Sequence, residues 1–127
     1  MKIERIDHFV LTVSDVDATC EFYTRVLGMK VMEFGKGRRA LRFGPHKINL
    51  HAASGSPRLR AENPSVGGGD FCLITKVPID DVVNHLQAEN VEIIDGPDTR
   101  DGALGPITSV YFRDPDNNLV EVSNYPK

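Results

Sequence analysis

The sequence lacks a surplus of basic residues: 15 Lys and Arg stand against 18 Asp and Glu, a formal charge of −3. Without a cationic field to hold a polyanionic backbone, nucleic acid is not an expected partner. Nor is there a run approaching the roughly 18 consecutive apolar residues of a membrane helix. The opening residues, MKIERIDHFVL, place charges where a secretory leader has its apolar stretch. No membrane association is expected, and the reading is of a cytoplasmic protein. Cysteine is scarce. Cys20 and Cys72 stand inside apolar patterns with no closely spaced partner, which excludes a disulfide framework and a thiolate zinc knuckle, so each reads as a small buried hydrophobe. What remains, 127 residues that are 40% hydrophobic and 26% charged, has the composition of one compact domain.

That domain divides near its middle. Residues 54–69 are rich in Gly, Pro and Ser, follow neither hydrophobic period, and read as a linker between a first module, 1–53, and a second, 70–127. In the first, Ile6 to Val13 alternates as a strand, with Phe9, Leu11 and Val13 on one face and His8, Val10 and Thr12 on the other. A helix follows, opened by a Ser14–Asp17 capping box, patterned by Val16, Thr19, Cys20, Tyr23, Val26 and Leu27, and closed by a left-handed Gly28. Strands are predicted at Lys30–Phe34, Arg39–Phe43 and Lys47–Ala52. In the second module Phe71–Lys76 reads as a strand and Ile79 to Asn90 as a helix. Val91–Ile94 is again a strand, Asp95–Pro106 a loop, and Thr108–Arg113 with Asn118–Asn124 a hairpin through Asp114-Pro115-Asp116-Asn117.

Both halves thus read βαβββ, an α+β fold built from an internal repeat. A 62-residue shift sets Asp7-His8-Phe9-Val10-Leu11 on Gly69-Asp70-Phe71-Cys72-Leu73, and with loop differences Leu41-Arg42-Phe43 falls on Val110-Tyr111-Phe112 and His51 on Glu121. Neither half covers its own inner face, so the two are expected to close on each other or on a second chain, as a cupped mixed sheet. The repeat sets one polar residue near the start of each first strand, His8 and Asp70, and one on each last strand, His51 and Glu121. Two His and two carboxylates converging from four strands suit a divalent first-row metal such as Zn, Ni, Mn or Fe. By alternation, Arg42 and Tyr111 face the same side.

The strings Ile6-Asp-His-Phe-Val-Leu-Thr-Val13, Phe22-Tyr-Thr-Arg-Val-Leu-Gly-Met29 and Phe112-Arg-Asp-Pro-Asp-Asn-Asn-Leu-Val-Glu121 resemble the vicinal oxygen chelate superfamily of glyoxalase, bleomycin-resistance and dioxygenase proteins. With Ile48-Asn-Leu-His51 and Pro106-Ile-Thr-Ser-Val-Tyr-Phe112, the texture is most similar to its glyoxalase-domain virulence-protein subgroup. The resemblance covers essentially the whole chain. It implies paired βαβββ modules, a homodimer and a small-molecule substrate, with His8 as the first-strand ligand and Glu121 as the last-strand ligand. Two positions depart from the family pattern. Asp70 stands where a second-module His is usual, and Asn49 where glyoxalase I has Glu; His51, two residues on and on the same face, is the expected replacement ligand, leaving Asn49 on the substrate side. Asp70 has three roles open to it: ligand, orienting partner of a His, or proton acceptor.

The leading expectation is a metal-dependent glyoxalase I-like lyase or isomerase working through a metal-stabilised enediolate. Glu121 or Asp70 would be the base, and Arg42, Tyr111 and Asn49 would contact substrate. An Fe(II) extradiol-type dioxygenase using His8, His51 and a carboxylate, and a non-catalytic drug-binding protein of the same fold, are the alternatives.

Overall fold

A computed structural model describes residues 1–127. Its elements are β1 (His8–Val13), α1 (Val16–Leu27), β2 (Lys30–Phe34), β3 (Arg38–Phe43), β4 (His46–Ala52), β5 (Asp70–Ile74), α2 (Ile79–Ala88), β6 (Asp95–Gly102), β7 (Gly105–Arg113) and β8 (Leu119–Asn124). The architecture is two four-stranded mixed sheets with two helices, and each half runs βαβββ as the hydrophobic pattern predicts. The chain divides into two compact units, Met1–Gly68 and Gly69–Lys127.

In the first unit the strand order is β1-β4-β3-β2, with β1 parallel to β4 and the other pairs antiparallel. α1 lies against β2, β3 and β4. The buried side chains Leu11, Val13, Leu41, Ile48 and Leu50 of the strands, with Cys20, Tyr23 and Val26 of the helix, make its core. The helix starts one residue later than the expected capping box. Asp15, in extended conformation, is the N-cap and accepts the Ala18 N–H at 3.0 Å. Asp17 is drawn away from that role by Arg39, whose Nη2 stands 2.6 Å from its carboxylate. Gly28 closes the helix as predicted, at φ 68°, with its N–H on the Thr24 carbonyl and the Met29 N–H on that of Tyr23.

The second unit has the order β5-β8-β7-β6, again with one parallel pair, β5 and β8. Its core is Val82 and Leu86 of α2 with Val110, Phe112, Val120 and Val122. Here the sequence reading needs correction. Val91–Ile94 is not a strand, and most of the expected loop is β6, paired antiparallel with β7 from Asp95↔Tyr111 to Gly102↔Gly105. Asp95 to Gly102 has no apolar alternation because β6 is the sheet edge, held by backbone bonds to β7 alone. Pro97 is tolerated there beside the bulge between Asp95 and Asp98. At that bulge Gly96 has φ +89°, and a Cβ on it would run into the Ser109 carbonyl, so only glycine lets β6 approach β7 so closely.

The turn between β7 and β8 is knitted by a buried carboxylate. Asp114 accepts the Asp116 and Asn118 backbone N–H groups, both at 2.9 Å, and the Asn118 side-chain amide at 2.8 Å. Asn118 in turn accepts the Gly69 N–H at 2.7 Å, which ties the start of β5 to β8 and fixes their register.

Candidate functional site

In each unit the helix covers one sheet face, and the alternate side chains form a second, polar face. On the first unit's sheet that second face has three rows across β1, β4, β3 and β2. They run His8–Lys47–Arg42–Lys30, then Val10–Asn49–Ala40–Met32, then Thr12–His51–Arg38–Phe34, the last continuing the β3–β4 register by one residue. On the second unit's sheet Asp70 faces Leu119, Cys72 faces Glu121, and Tyr111 lies opposite Glu121 on β7.

These registers correct one part of the expected repeat. Val10 and Cys72 are repeat partners, and they face Asn49 and Glu121, so Asn49 is the counterpart of Glu121. His51, facing Thr12, is instead the counterpart of Ser123, which faces Ile74. On β3 and β7 the match likewise slides by two residues: Leu41 and Phe112 face Ile48 and Val120, which leaves Arg42 equivalent to Arg113 and Ala40 to Tyr111. A slip of two keeps every side chain on its expected face while moving it along the strand. Sequence alternation cannot detect such a slip.

The consequence for the donors is geometric. His8 faces Lys47, four residues from His51 along β4, a separation of roughly 13 Å between side chains that stand perpendicular to the sheet. The two histidines do not converge on one point. His8 and Asn49 are diagonal neighbours, and so are Asp70 and Glu121. Within neither unit do three His, Cys, Asp or Glu side chains gather closely enough to hold an ion among themselves.

Each donor has a definite setting. The His8 ring, with its side chain 43% exposed, bonds through Nδ1 to Asp7 Oδ1 at 2.8 Å. In the neutral ring this puts the proton on Nδ1 and leaves the Nε2 lone pair for a ligand. That bond, more than the nearby positive charges, holds the Asp7 carboxyl below its usual range. Asn49 is buried, and its Oδ1 has no hydrogen-bond partner, which is costly for an amide oxygen unless a ligand, ion or water satisfies it.

Glu121 is half-buried and held through one oxygen. Oε2 accepts Ser109 Oγ at 2.6 Å and Ser123 Oγ at 3.3 Å. Ser109 and Ser123 are 2.6 Å apart and fully buried, and Cys72 Sγ lies 3.3 Å from Ser123 Oγ. With Ser109 donating to Oε2, a chain of donors from Cys72 through Ser123 and Ser109 ends on that oxygen. Cys72 is exposed rather than buried as expected, and partial desolvation of its thiol at the far end of that chain pushes its pKa up. Beside it, Arg100 lies 5.5 Å from the Tyr111 ring centre and is itself held by Asp95 and Asp98, each at 3.1 Å. Burial raises the Tyr111 phenol against the opposing pull of Arg100.

A family model for the glyoxalase/bleomycin resistance protein/dioxygenase superfamily matches residues 5–122. The chain belongs to that superfamily. Virulence protein STM3117 of Salmonella typhimurium is 48% identical over 125 residues, 98% of this chain and 87% of that protein. Its crystal structure superposes with a TM-score of 0.98 over 99% of this chain and 100% of that one. An integron cassette protein from the mobile metagenome of V. cholerae is 51% identical, with a TM-score of 0.97 over 99% and 98% of the two chains. A lactoylglutathione lyase from Agrobacterium tumefaciens is 27% identical, with a TM-score of 0.76 over 98% and 96%.

Superfamily members commonly use divalent metals; the first unit offers an imidazole backed by a carboxylate and an unpartnered amide oxygen, and the second a carboxylate hydrogen-bonded through Oε2. The sequence alone points to His8, His51, Asp70 and Glu121 but not to the groups hydrogen-bonded to them. Asp7 was legible, since Asp-His at the head of a strand is the shortest way to back an imidazole with a carboxylate. Ser109, Ser123 and Arg100 carry no sequence signal of their own and emerge only from the β6–β7–β8 pairing. Arg42 lies on the polar face as expected, exposed and in the same row as His8 and Lys30.

Proposed function

We propose that the protein is a glyoxalase I-like metal-dependent lyase or isomerase acting on a small carbonyl substrate. The observation that carries the reading is the repeat symmetry of the donors: His8 with Asn49 and Asp70 with Glu121 occupy equivalent strand positions, and the odd member, Asn49, has an oxygen lacking any partner. His8, Asp70 and Glu121 with the Asn49 amide oxygen are the proposed ligands of the ion. When bound, a divalent ion supplies Lewis acidity toward adjacent oxygens of a carbonyl compound.

The chain's own residues do the rest. Asp7 fixes the His8 tautomer. Ser109 and Ser123 hold Oε2 of Glu121 and so fix the carboxylate that serves as base, taking the proton next to the carbonyl and returning it one carbon away. Tyr111, opposite Glu121 and braced by Arg100, offers a hydroxyl to the substrate oxygen that gains charge as the proton leaves. A homodimer is part of this proposal, since members of the superfamily often dimerise.

The test is turnover of a glutathione hemithioacetal to the thioester by protein loaded in turn with Zn, Ni, Mn and Fe(II), with Glu121→Gln as control. The reading expects metal-dependent thioester formation that the variant loses by at least about a hundredfold. Absence of thioester with every metal, or equal rates for wild type and variant, overturns it.

A further inference from the structure

We propose that the first unit carries an oxyanion subsite at the His51 end of its polar face, formed by Arg38, Lys47, Arg60 and His51, which takes a carboxylate or phosphate group of a small-molecule ligand. This inference is independent of the lyase reading and of any metal.

Arg38 stands beside His51 in its row, Lys47 reaches from the His8 row to the Phe34 ring, and Arg60 lines the adjoining cavity. Arg38 lies 4.6 Å and Lys47 Nζ 4.0 Å from the centre of the same Phe34 ring. Two like charges on one ring repel unless an anion joins them. Neither has a carboxylate within salt-bridge distance, and neither does Arg60, whose single hydrogen bond is to the Pro57 carbonyl at 3.0 Å. The twelve strand positions of this face hold no Asp or Glu to balance them. In a chain of net charge −3, the concentration of unpaired cations is a local feature of this face.

Next to them is a cavity of about 370 Å³ lined by Thr12, Ser54, Gly55, Ser56 and Arg60. Thr12 is the strand neighbour of His51. The His51 ring is only 6% exposed and has no hydrogen-bond partner. Guanidiniums without a carboxylate partner beside a buried imidazole suit an anion, which would pair the guanidiniums bidentately and accept from the imidazole N–H. His51 is thus reassigned from metal ligand to anion donor.

Isothermal titration calorimetry at constant ionic strength and with EDTA present, using inorganic phosphate in one arm and malonate in the other, tests this. One saturable site is expected. Arg38→Gln and Arg60→Gln should each weaken binding about tenfold, the value of one charge-assisted hydrogen bond. Arg58→Gln, which removes the same charge two residues from Arg60, should stay within about twofold. Binding in the phosphate arm alone assigns the subsite to phosphate esters, and binding in both assigns it to carboxylates as well. No saturable heat in either arm, or equal weakening by Arg58→Gln and Arg60→Gln, overturns the proposal.

Discussion

Asp114 anchors the turn that sets Tyr111 opposite Glu121, and its replacement should cost more than any surface substitution in the chain. The carboxylate is 5% exposed and accepts three hydrogen bonds from Asp116 and Asn118, and Asn118, 1% exposed, accepts a fourth from the Gly69 N–H. Each bond to a charged acceptor is worth roughly 1.5–3 kcal/mol, but the losses overlap because water re-solvates part of an opened turn. Asp114→Ala should therefore cost about 3–4 kcal/mol. Asp114→Asn is the sharper test. Its oxygen serves the two backbone N–H groups, and its new NH₂ then meets the Asn118 NH₂, donor against donor. Turning the Asn118 amide over relieves that clash only by taking its oxygen from the Gly69 N–H. One bond is lost either way, a cost of about 2 kcal/mol. Urea denaturation with unchanged m-value measures both, and a thermal melt should fall by about 3–4 °C per kcal/mol for a chain of this size. Loss of less than about 0.5 kcal/mol in Asp114→Asn would refute the reasoning.

Three further outcomes are expected. Ser109→Ala removes the shortest bond to Glu121 and should weaken divalent-metal affinity by about ten- to a hundredfold, read by competition with a chromophoric chelator; unchanged affinity would show that Glu121 needs no such support. Gly96→Ala sets a methyl against the Ser109 carbonyl and should cost about 2 kcal/mol or more in urea, whereas a stability equal to wild type would mean that β6 simply moves aside. His51 titrates below its ordinary value of 6.5 in the folded protein, so the unfolded chain takes up the proton first as pH falls. Stability present above pH 6.5 should decline from there toward the folded value, and His51→Gln should flatten that decline in urea-derived stability against pH. Identical slopes for the two proteins would contradict the assignment.

The βαβββ repeat was legible because five strands, β1, β3, β4, β7 and β8, and both helices carry buried apolar side chains at their own period and so write it into the sequence. β6 was not, since an edge strand of Asp, Gly, Pro and Arg buries nothing and owes its conformation to β7. Of the site, His8 and Glu121 could be read as polar residues opposite apolar rows. The pairing of Asn49 rather than His51 with Glu121 could not, because positions two apart on a strand share a face and only the parallel register with β1 distinguishes them. The Arg38–Lys47–Phe34 grouping joins residues of three strands and was equally hidden.

The central claim is that repeat-equivalent positions, rather than the two histidines of the first unit, hold a divalent ion. Metal content of protein purified without chelators, measured by mass spectrometry on wild type, His8→Ala, Glu121→Gln and His51→Gln, tests it most directly. The account predicts near-stoichiometric metal in wild type and in His51→Gln, with large losses in His8→Ala and Glu121→Gln. A metal-free wild type that also binds none on addition, or a His51→Gln variant as depleted as His8→Ala, would contradict it.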